Sequence, residues 1–240
     1  AVVEEWNGSS WTEVADLSVP RYAIGGAGTT SSAIAFGGSP TGASTEEWAL
    51  NAPVGAWATA PATNTARRDL GSAGTATSGL IISGADAPTS GRESEVESWN
   101  GSSWTEVADL NSARCFLVGS GASNTAAIAY GGSEANPSQT GKTESWDGSS
   151  WTEVNDLNTA RRYLAGTPGS PYTAALAFGG YPTAGSPNAQ TESWNGSSWT
   201  EVNDLNTSRG ILNGSGIQPA ALAFGGYTTA YVANTESWNG

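Results

Sequence analysis

The chain has 240 residues, with 22 acidic against 9 basic side chains, a formal charge of −13, and neither histidine nor methionine. Such a surface repels phosphate backbones and anionic bilayers, so nucleic acid is not an expected partner. The lack of histidine removes the Ser-His-Asp triad, the histidine metal site and the imidazole base, so neither metal nor cofactor is expected.

No apolar run approaches bilayer-spanning length and no signal peptide is recognisable, so membrane insertion is not expected. Ala1 reads as a processed start or as the edge of a longer array. The first elements are two short strands, 2–8 ("VVEEWNG") and 9–17 ("SSWTEVADL"). The same phrases then return at a steady interval. Trp11, Trp57, Trp104, Trp151 and Trp199 step by 46, 47, 47 and 48 residues. A second series, Trp6, Trp48, Trp99, Trp146, Trp194 and Trp238, accounts for the rest of the 11 tryptophans, so each is read as architecture. Arg21, Arg67, Arg114, Arg161 and Arg209 keep the same steps, and so does a small pair, as at Gly131-Gly132 and Gly179-Gly180.

Each unit of about 47 residues holds four strands. In the unit at 158–205 they are "RRYLAG" (161–166), "TAALAFGG" (173–180), "QTESWNG" (190–196) and "SSWTEVNDL" (197–205), separated by Gly, Pro, Ser and Asn. In the second strand Leu176 and Phe178 alternate with Ala175 and Ala177, so both faces are apolar. A large row on one face and an alanine row on the other suit sheets stacked in series around an axis. The expected fold is all-β: a β-propeller of five four-stranded antiparallel blades in one domain over 1–240. The blades are expected at about 18–63, 64–110, 111–157, 158–205, and 206–240 with 1–17. The third-strand phrase occurs six times and the fourth-strand phrase five. The ring is therefore expected to close through a composite blade, with strands from 208–240 pairing with the strand at 9–17 and one copy of the third strand left over.

The order Arg, apolar strand ending in Gly-Gly, Glu-x-aromatic with a turn, then Trp, resembles the kelch repeat over nearly the whole chain. "ESWNG" stands where kelch units usually carry Tyr-Asp, and the unit at 46–63 ("EEWALNAPVGAWATAPAT") departs most. The "ESWNGSSWTEV" units are also similar to those in predicted proteins of marine bacteria and their phages. Tachylectin-type lectins are similar in blade number and unit length, without a close motif match. Kelch-like copper oxidases use histidine ligands, which this chain lacks.

Asn-Gly in "WNGSSW" is read as a type I′ hairpin turn, because Asp147-Gly148 keeps the turn chemistry and loses the glycosylation sequon. The five arginines are expected to meet, within or between blades, the glutamate two residues before each third-strand tryptophan (Glu4, Glu46, Glu97, Glu144, Glu192, Glu236) and to hydrogen-bond backbone groups, since buried arginine needs a partner. A ring of arginines binding an axial anion is the alternative. Cys115, in "RCFLV", is read as a small buried apolar residue.

The loops between second and third strands vary most, which points to a scaffold presenting a recognition surface. The candidates there are Arg92, Asn136, Lys142, Tyr181, Asn188, Tyr227 and Tyr231. The expected function is a non-catalytic structural or adhesive module of an extracellular or virion assembly, its partners being other protein subunits or a cell-surface glycan. The alternatives are a lectin with repeated sites, in which tryptophans stack on sugars, and a carboxylate-based hydrolase.

Overall fold

The computed structural model describes residues 2–50, 55–86, 91–135 and 138–240, and among these there is no helix. A hairpin, β1 (Val3–Trp6) and β2 (Trp11–Val14), opens the chain. The first blade follows: β3 (Gly25–Thr29), β4 (Ser32–Phe36), β5 (Thr45–Ala49) and β6 (Ala56–Ala60). The second has β7 (Arg67–Arg68), β8 (Gly71–Thr75), β9 (Ser78–Asp86), β10 (Arg92–Trp99) and β11 (Trp104–Val107); β7 and β8 both pair with β9, so its inner strand comes in two pieces. The third has β12 (Val118–Ser123), β13 (Ala126–Tyr130), β14 (Thr143–Trp146) and β15 (Trp151–Val154). The fourth has β16 (Ala165–Gly166), β17 (Ala175–Phe178), β18 (Thr191–Trp194) and β19 (Trp199–Val202). The fifth has β20 (Asn213–Ile217), β21 (Ala220–Phe224) and β22 (Thr235–Trp238).

All ladders are antiparallel, and the inner strands β3, β8, β12, β16 and β20 neighbour one another in that order. The fold is a five-bladed β-propeller, as the repeat requires. Its blades pack large row on small row. Leu80 and Ile82 meet Ala127 and Ala129; Ile128 and Tyr130 meet Ala175 and Ala177; Leu176 and Phe178 meet Ala221 and Ala223. The fourth-strand tryptophan wedges into the same seam. Trp104 packs on Phe36 of the blade before it, with centroids 5.1 Å apart, and its indole N–H donates to Thr45 Oγ1 at 3.2 Å. Trp199 repeats this on Tyr130 and Thr143 at 4.9 and 3.1 Å. In the seam between the second and third blades Val96 replaces the threonine, and the Trp151 indole donates to Ala108 O instead.

Backbone bonds also staple blade to blade. The glycine that ends the small pair donates its N–H to the carbonyl of the next blade's arginine in the first four blades: Gly38 to Arg67, Gly84 to Arg114, Gly132 to Arg161, Gly180 to Arg209. These glycines have φ between 93° and 118°. A Cβ at Gly132 would fall 2.7 Å from Cys115 O, so the position excludes side chains twice over.

Two expectations are corrected. The closure is not a composite ladder: β1 pairs with β2, β22 pairs with β21, and among the described residues no ladder joins β22 to β2. Instead Trp11 packs against Phe224 with ring centroids 5.1 Å apart and planes tilted by 60°, and it donates to Thr235 Oγ1 at 3.2 Å, the contact that Trp104 and Trp199 make between blades. The hairpin thus stacks on the fifth blade as a half-built next layer, and both terminal copies of the third strand are in use. The "WNGSS" turn is also not type I′. Trp6 pairs with Trp11 across four loop residues, and of the Asn-Gly pair only Gly8 has positive φ, 99°. Asn7 Oδ1 accepts the N–H groups of Ser9 and Ser10, both at 2.9 Å. Asp147 and Asn195 do the same in their blades. An Asx turn selects Asn or Asp as strongly as a type I′ turn does, which is why the sequence pattern misleads.

Candidate functional site

The repeated arginines lie inside the blades. Each pairs with its own blade's glutamate: Arg21–Glu46 at 3.0 Å, Arg67–Glu97 at 2.5 Å, Arg114–Glu144 at 3.1 Å, Arg161–Glu192 at 3.1 Å and Arg209–Glu236 at 2.9 Å. Backbone carbonyls take further donors; Arg161 bonds Gln190 O at 2.6 Å and Ala177 O at 3.1 Å. Burial pulls the Arg114 and Arg161 guanidinium groups below their usual pKa, against the pull of Glu144 and Glu192. A residue missed in the sequence completes the unit. Asn158 donates its N–H and its Nδ2 to Glu192 Oε2 at 2.7 and 2.8 Å, and its Nδ2 reaches Trp199 O at 3.0 Å. Asn64 and Asn111 repeat these bonds, always three residues before the arginine, a spacing the sequence displays. These pairings fix the arginines in the scaffold and turn them away from an axial anion site.

Two residues after each arginine the backbone enters the left-handed region. Ala23, Asp69, Phe116, Tyr163 and Ile211 have φ of 55°, 56°, 61°, 54° and 55°. Such a conformation is uncommon for non-glycine residues. Here it is held by a chain of backbone bonds running from blade to blade: Asp69 N to Ala23 O, Phe116 N to Asp69 O, Tyr163 N to Phe116 O, Ile211 N to Tyr163 O, all 2.8–3.2 Å. Isolated bridges tie the adjoining residue to the loop after the small pair in four blades: Tyr22 to Ser39, Cys115 to Ser133, Arg162 to Tyr181, and Gly210 to Tyr227. The mouth of the ring and the variable loops therefore form one surface.

That surface carries an aromatic stripe. Phe116 stacks on Tyr163 with centroids 4.0 Å apart, Tyr163 meets Tyr181 edge-on at 5.9 Å, and Tyr227 meets Tyr231 at 5.3 Å. Tyr227 and Tyr231 both act electrostatically on Tyr181, which burial already pushes above its usual pKa. The Arg162 guanidinium lies 5.5 Å from the Tyr163 ring centroid, within cation–π range. Arg68 pairs with Asp69 at 2.9 Å. Cys115 lies beneath, 1% exposed, its thiol pushed up to about 11 by burial; Arg92, Arg162 and Arg68 oppose that shift and Asp69 adds to it. The buried apolar reading of Cys115 holds. Five of the nine basic residues belong to the scaffold; of the other four, Arg68, Arg92 and Arg162 converge here in a chain of charge −13.

The sequence candidates divide accordingly. Tyr181, Tyr227, Tyr231 and Arg92 join the stripe and its arginines; Tyr181 is 7% exposed and Tyr231 80%. Lys142 stands apart, its Nζ held by Glu134 at 2.7 Å and Ser112 Oγ at 2.8 Å. Asn188 braces its loop, with its N–H on Gly180 O and its carbonyl accepting from Arg209 N. Asn136 lies outside the described residues. Sequence reasoning missed Phe116, Tyr163 and Arg162; the signal was the aromatic two positions after an invariant arginine, in "RCF" and "RRY". Among the fourth-strand tryptophans, Trp104, Trp151 and Trp199 are 5–7% exposed, which removes them as sugar-stacking platforms. Among the described residues, no group of three or more His, Cys, Asp or Glu is placed to hold a metal ion.

No family model matches the chain, and no curated protein matches it. A solved structure described as "Structure of YjhT" is similar in fold, with a TM-score of 0.77 and 10% identity over 96% of this chain and 85% of that one.

Proposed function

We propose that this chain is a non-catalytic, kelch-like propeller that serves as a structural or adhesive interaction module of an extracellular or virion assembly. It binds its partner through the mouth of the ring. The observation that carries this reading is the meeting of Phe116, Tyr163 and Tyr181 with Arg68, Arg92 and Arg162 on the face of variable loops. Aromatic and arginine side chains are the residues that dominate binding energy at interfaces. On an acidic protein, the arginines favour a partner surface that is anionic and partly apolar. The outer-strand carboxylates of the "WTEV" repeats are used differently: Glu106, Glu153 and Glu201 are solvated, while Asp156 and Asp204 accept backbone N–H groups.

A lectin remains the second reading, with tyrosines in place of tryptophans as stacking groups; the 80% exposure of Tyr231 beside Tyr227 favours it. Footprinting of the protein within native particles or surface fractions tests the first reading, with protection expected at Tyr163, Tyr227 and Tyr231. A glycan array tests the second. Glycan binding abolished by Tyr163→Ala supports the lectin; no glycan binding together with protection of the stripe supports the assembly module. Protection confined to the opposite face, at the "WNGSSW" turns, contradicts both.

A further inference from the structure

The turns on the face opposite the mouth carry polar groups that the proposed function does not use. Three of these turns hold Asn-Gly: Asn7-Gly8, Asn100-Gly101 and Asn195-Gly196, and all three asparagines are exposed. The side-chain oxygen of each sits in a cage of donors. Asn100 Oδ1 accepts the Ser102 and Ser103 N–H groups and the Ser102 hydroxyl, each at 2.9 Å. Asn195 Oδ1 takes the Ser197 and Ser198 N–H groups at 2.9 Å and the Ser197 hydroxyl at 3.0 Å, and Asn7 Oδ1 takes the same set from Ser9 and Ser10. The amide nitrogen is held as well: Nδ2 of Asn7, Asn100 and Asn195 donates to the hydroxyl of Ser10, Ser103 and Ser198 at 3.1, 3.2 and 3.4 Å.

Such a turn folds the asparagine side chain over the peptide that follows it and brings Cγ toward the glycine nitrogen. Attack of that nitrogen on Cγ moves negative charge onto Oδ1. The cage aims its donors at that atom, as an oxyanion hole does. The three glycines have φ of 99°, 92° and 93°, and they carry no Cβ to obstruct the approach. The equivalent turn of the third blade shows that the cage accepts charge. There Asp147 Oδ1 takes the Ser149 and Ser150 N–H groups and the Ser149 hydroxyl, all at 2.8 Å, and these bonds hold its carboxyl down to about 2. Asn213-Gly214 supplies the contrast. It lies within β20, where Asn213 faces Phe224 and Gly214 faces Ala223 across the ladder, so ring closure there needs the strand to open.

We propose that Asn7, Asn100 and Asn195 are self-modifying sites, at which the folded turn promotes deamidation to the acid that position 147 already carries. The glycine nitrogen bonds to Cγ and gives up its proton to water. The Cγ–Nδ2 bond breaks, and the nitrogen takes up a proton and leaves as ammonia, with the serine hydroxyl beside Nδ2 as the relay. Water then opens the five-membered imide, at Cγ to give aspartate or at the backbone carbonyl to give isoaspartate. The net change is water consumed and ammonia released, with no oxidation or reduction. Each event adds a negative charge to the face of the turns and leaves the mouth untouched. An aspartate so formed keeps the bonds of the turn, as Asp147 does, so the blade survives its own modification.

The test is incubation of the intact protein at mildly alkaline pH, folded and in urea, with peptide mapping by mass spectrometry at intervals. In the folded protein Asn7, Asn100 and Asn195 should convert several-fold faster than Asn213, and faster than they do in urea, where Asn213 should catch up with them. Ser197→Ala, which removes one donor of the cage, should slow Asn195 several-fold and leave Asn100 as it was. Asp147→Asn, which gives the third blade the turn of its neighbours, should add a further reacting site. Rates at the three turns no higher than in urea would overturn the proposal, since the fold would then protect the asparagines. So would conversion of Asn213 in the folded protein as fast as the turns, an unmoved Asn195 rate in Ser197→Ala, or an inert third-blade turn in Asp147→Asn.

Discussion

Arg161 and Arg162 are adjacent and chemically identical, and the fold gives them opposite duties. Arg161 is fully buried, clamped by Glu192 and two carbonyls. Arg162 turns to the mouth and lies over Tyr163. The first position is arginine in all five units; the position two residues after it is Ala, Asp, Phe, Tyr or Ile. One backbone conformation, with φ between 54° and 61°, is therefore built five times by an identical inner framework and used to display five different side chains. Repetition marks what holds the ring together. Variation at a position of constant geometry marks what the ring presents.

The largest way to break this comparison is at the buried member. Arg161→Ala leaves the Glu192 carboxylate buried without its cation, and removing one partner of a buried pair costs about 3–5 kcal/mol. Urea denaturation should show that loss, whereas Arg162→Ala should cost clearly less, because Arg162 is only half-buried. Equal losses would mean that both arginines are structural.

The tryptophan seams extend the contrast to the ends of the chain. Trp199→Ala should cost about 3–5 kcal/mol, the range for emptying an aromatic site in a packed core. Trp11→Ala should cost less, because Trp11 is only partly buried in a two-stranded layer. A calorimetric scan in which Trp11→Ala lowers Tm as far as Trp199→Ala would show that the hairpin is an integral blade.

Cys115 separates the mouth from what lies under it. With its thiol pushed up to about 11 and 1% exposed, it should resist an aromatic disulfide reagent at pH 8 until the protein is unfolded. Rapid labelling in the folded state would mean that the Phe116 loop opens.

The smallest effect lies at the opposite face. Asp147 is held down to about 2, from an ordinary value of 3.8, first by the Ser149 hydroxyl and then by the Ser150 and Ser149 N–H groups. A depressed carboxylate stabilises the fold above its unfolded value and loses that contribution as pH falls through the folded one. Asp147→Asn, which installs the residue that follows Trp6, Trp99, Trp194 and Trp238, should flatten the stability profile between about pH 4 and pH 2 and change nothing at pH 7. An unaltered acid limb would show that the turn carries no charge-dependent stability.

How far the sequence could be read follows the same division. The blade number, the large and small rows at Leu176–Phe178 and Ala221–Ala223, and the Arg161–Glu192 pairing were legible because each recurs at a fixed spacing. The closure was not. Trp11 fits either the seam of Phe178 or that of Phe224, and the two carry the same residue types, so only three-dimensional packing decides. Phe116 and Tyr163 escaped for the converse reason. A search for repeats discards positions that do not repeat, and their left-handed backbone has no residue signature when it is imposed by inter-blade hydrogen bonds. Tyr181 and Tyr231 were found as loop residues, but their alignment with Phe116 and Tyr163 depends on bridges such as Arg162 to Tyr181, which join segments about 20 residues apart.

The central claim is that the mouth binds and the inner framework only supports it. The most direct measurement is footprinting of the protein in its native particle or surface fraction, run in parallel on the parent chain and on the double variant Arg162→Ala/Tyr163→Ala, with Tm recorded for both. The account predicts a Tm lowered far less than by Arg161→Ala, protection of Tyr227 and Tyr231 in the parent, and loss of that protection in the variant. Protection that survives the double substitution, or that disappears only together with the fold, would contradict it.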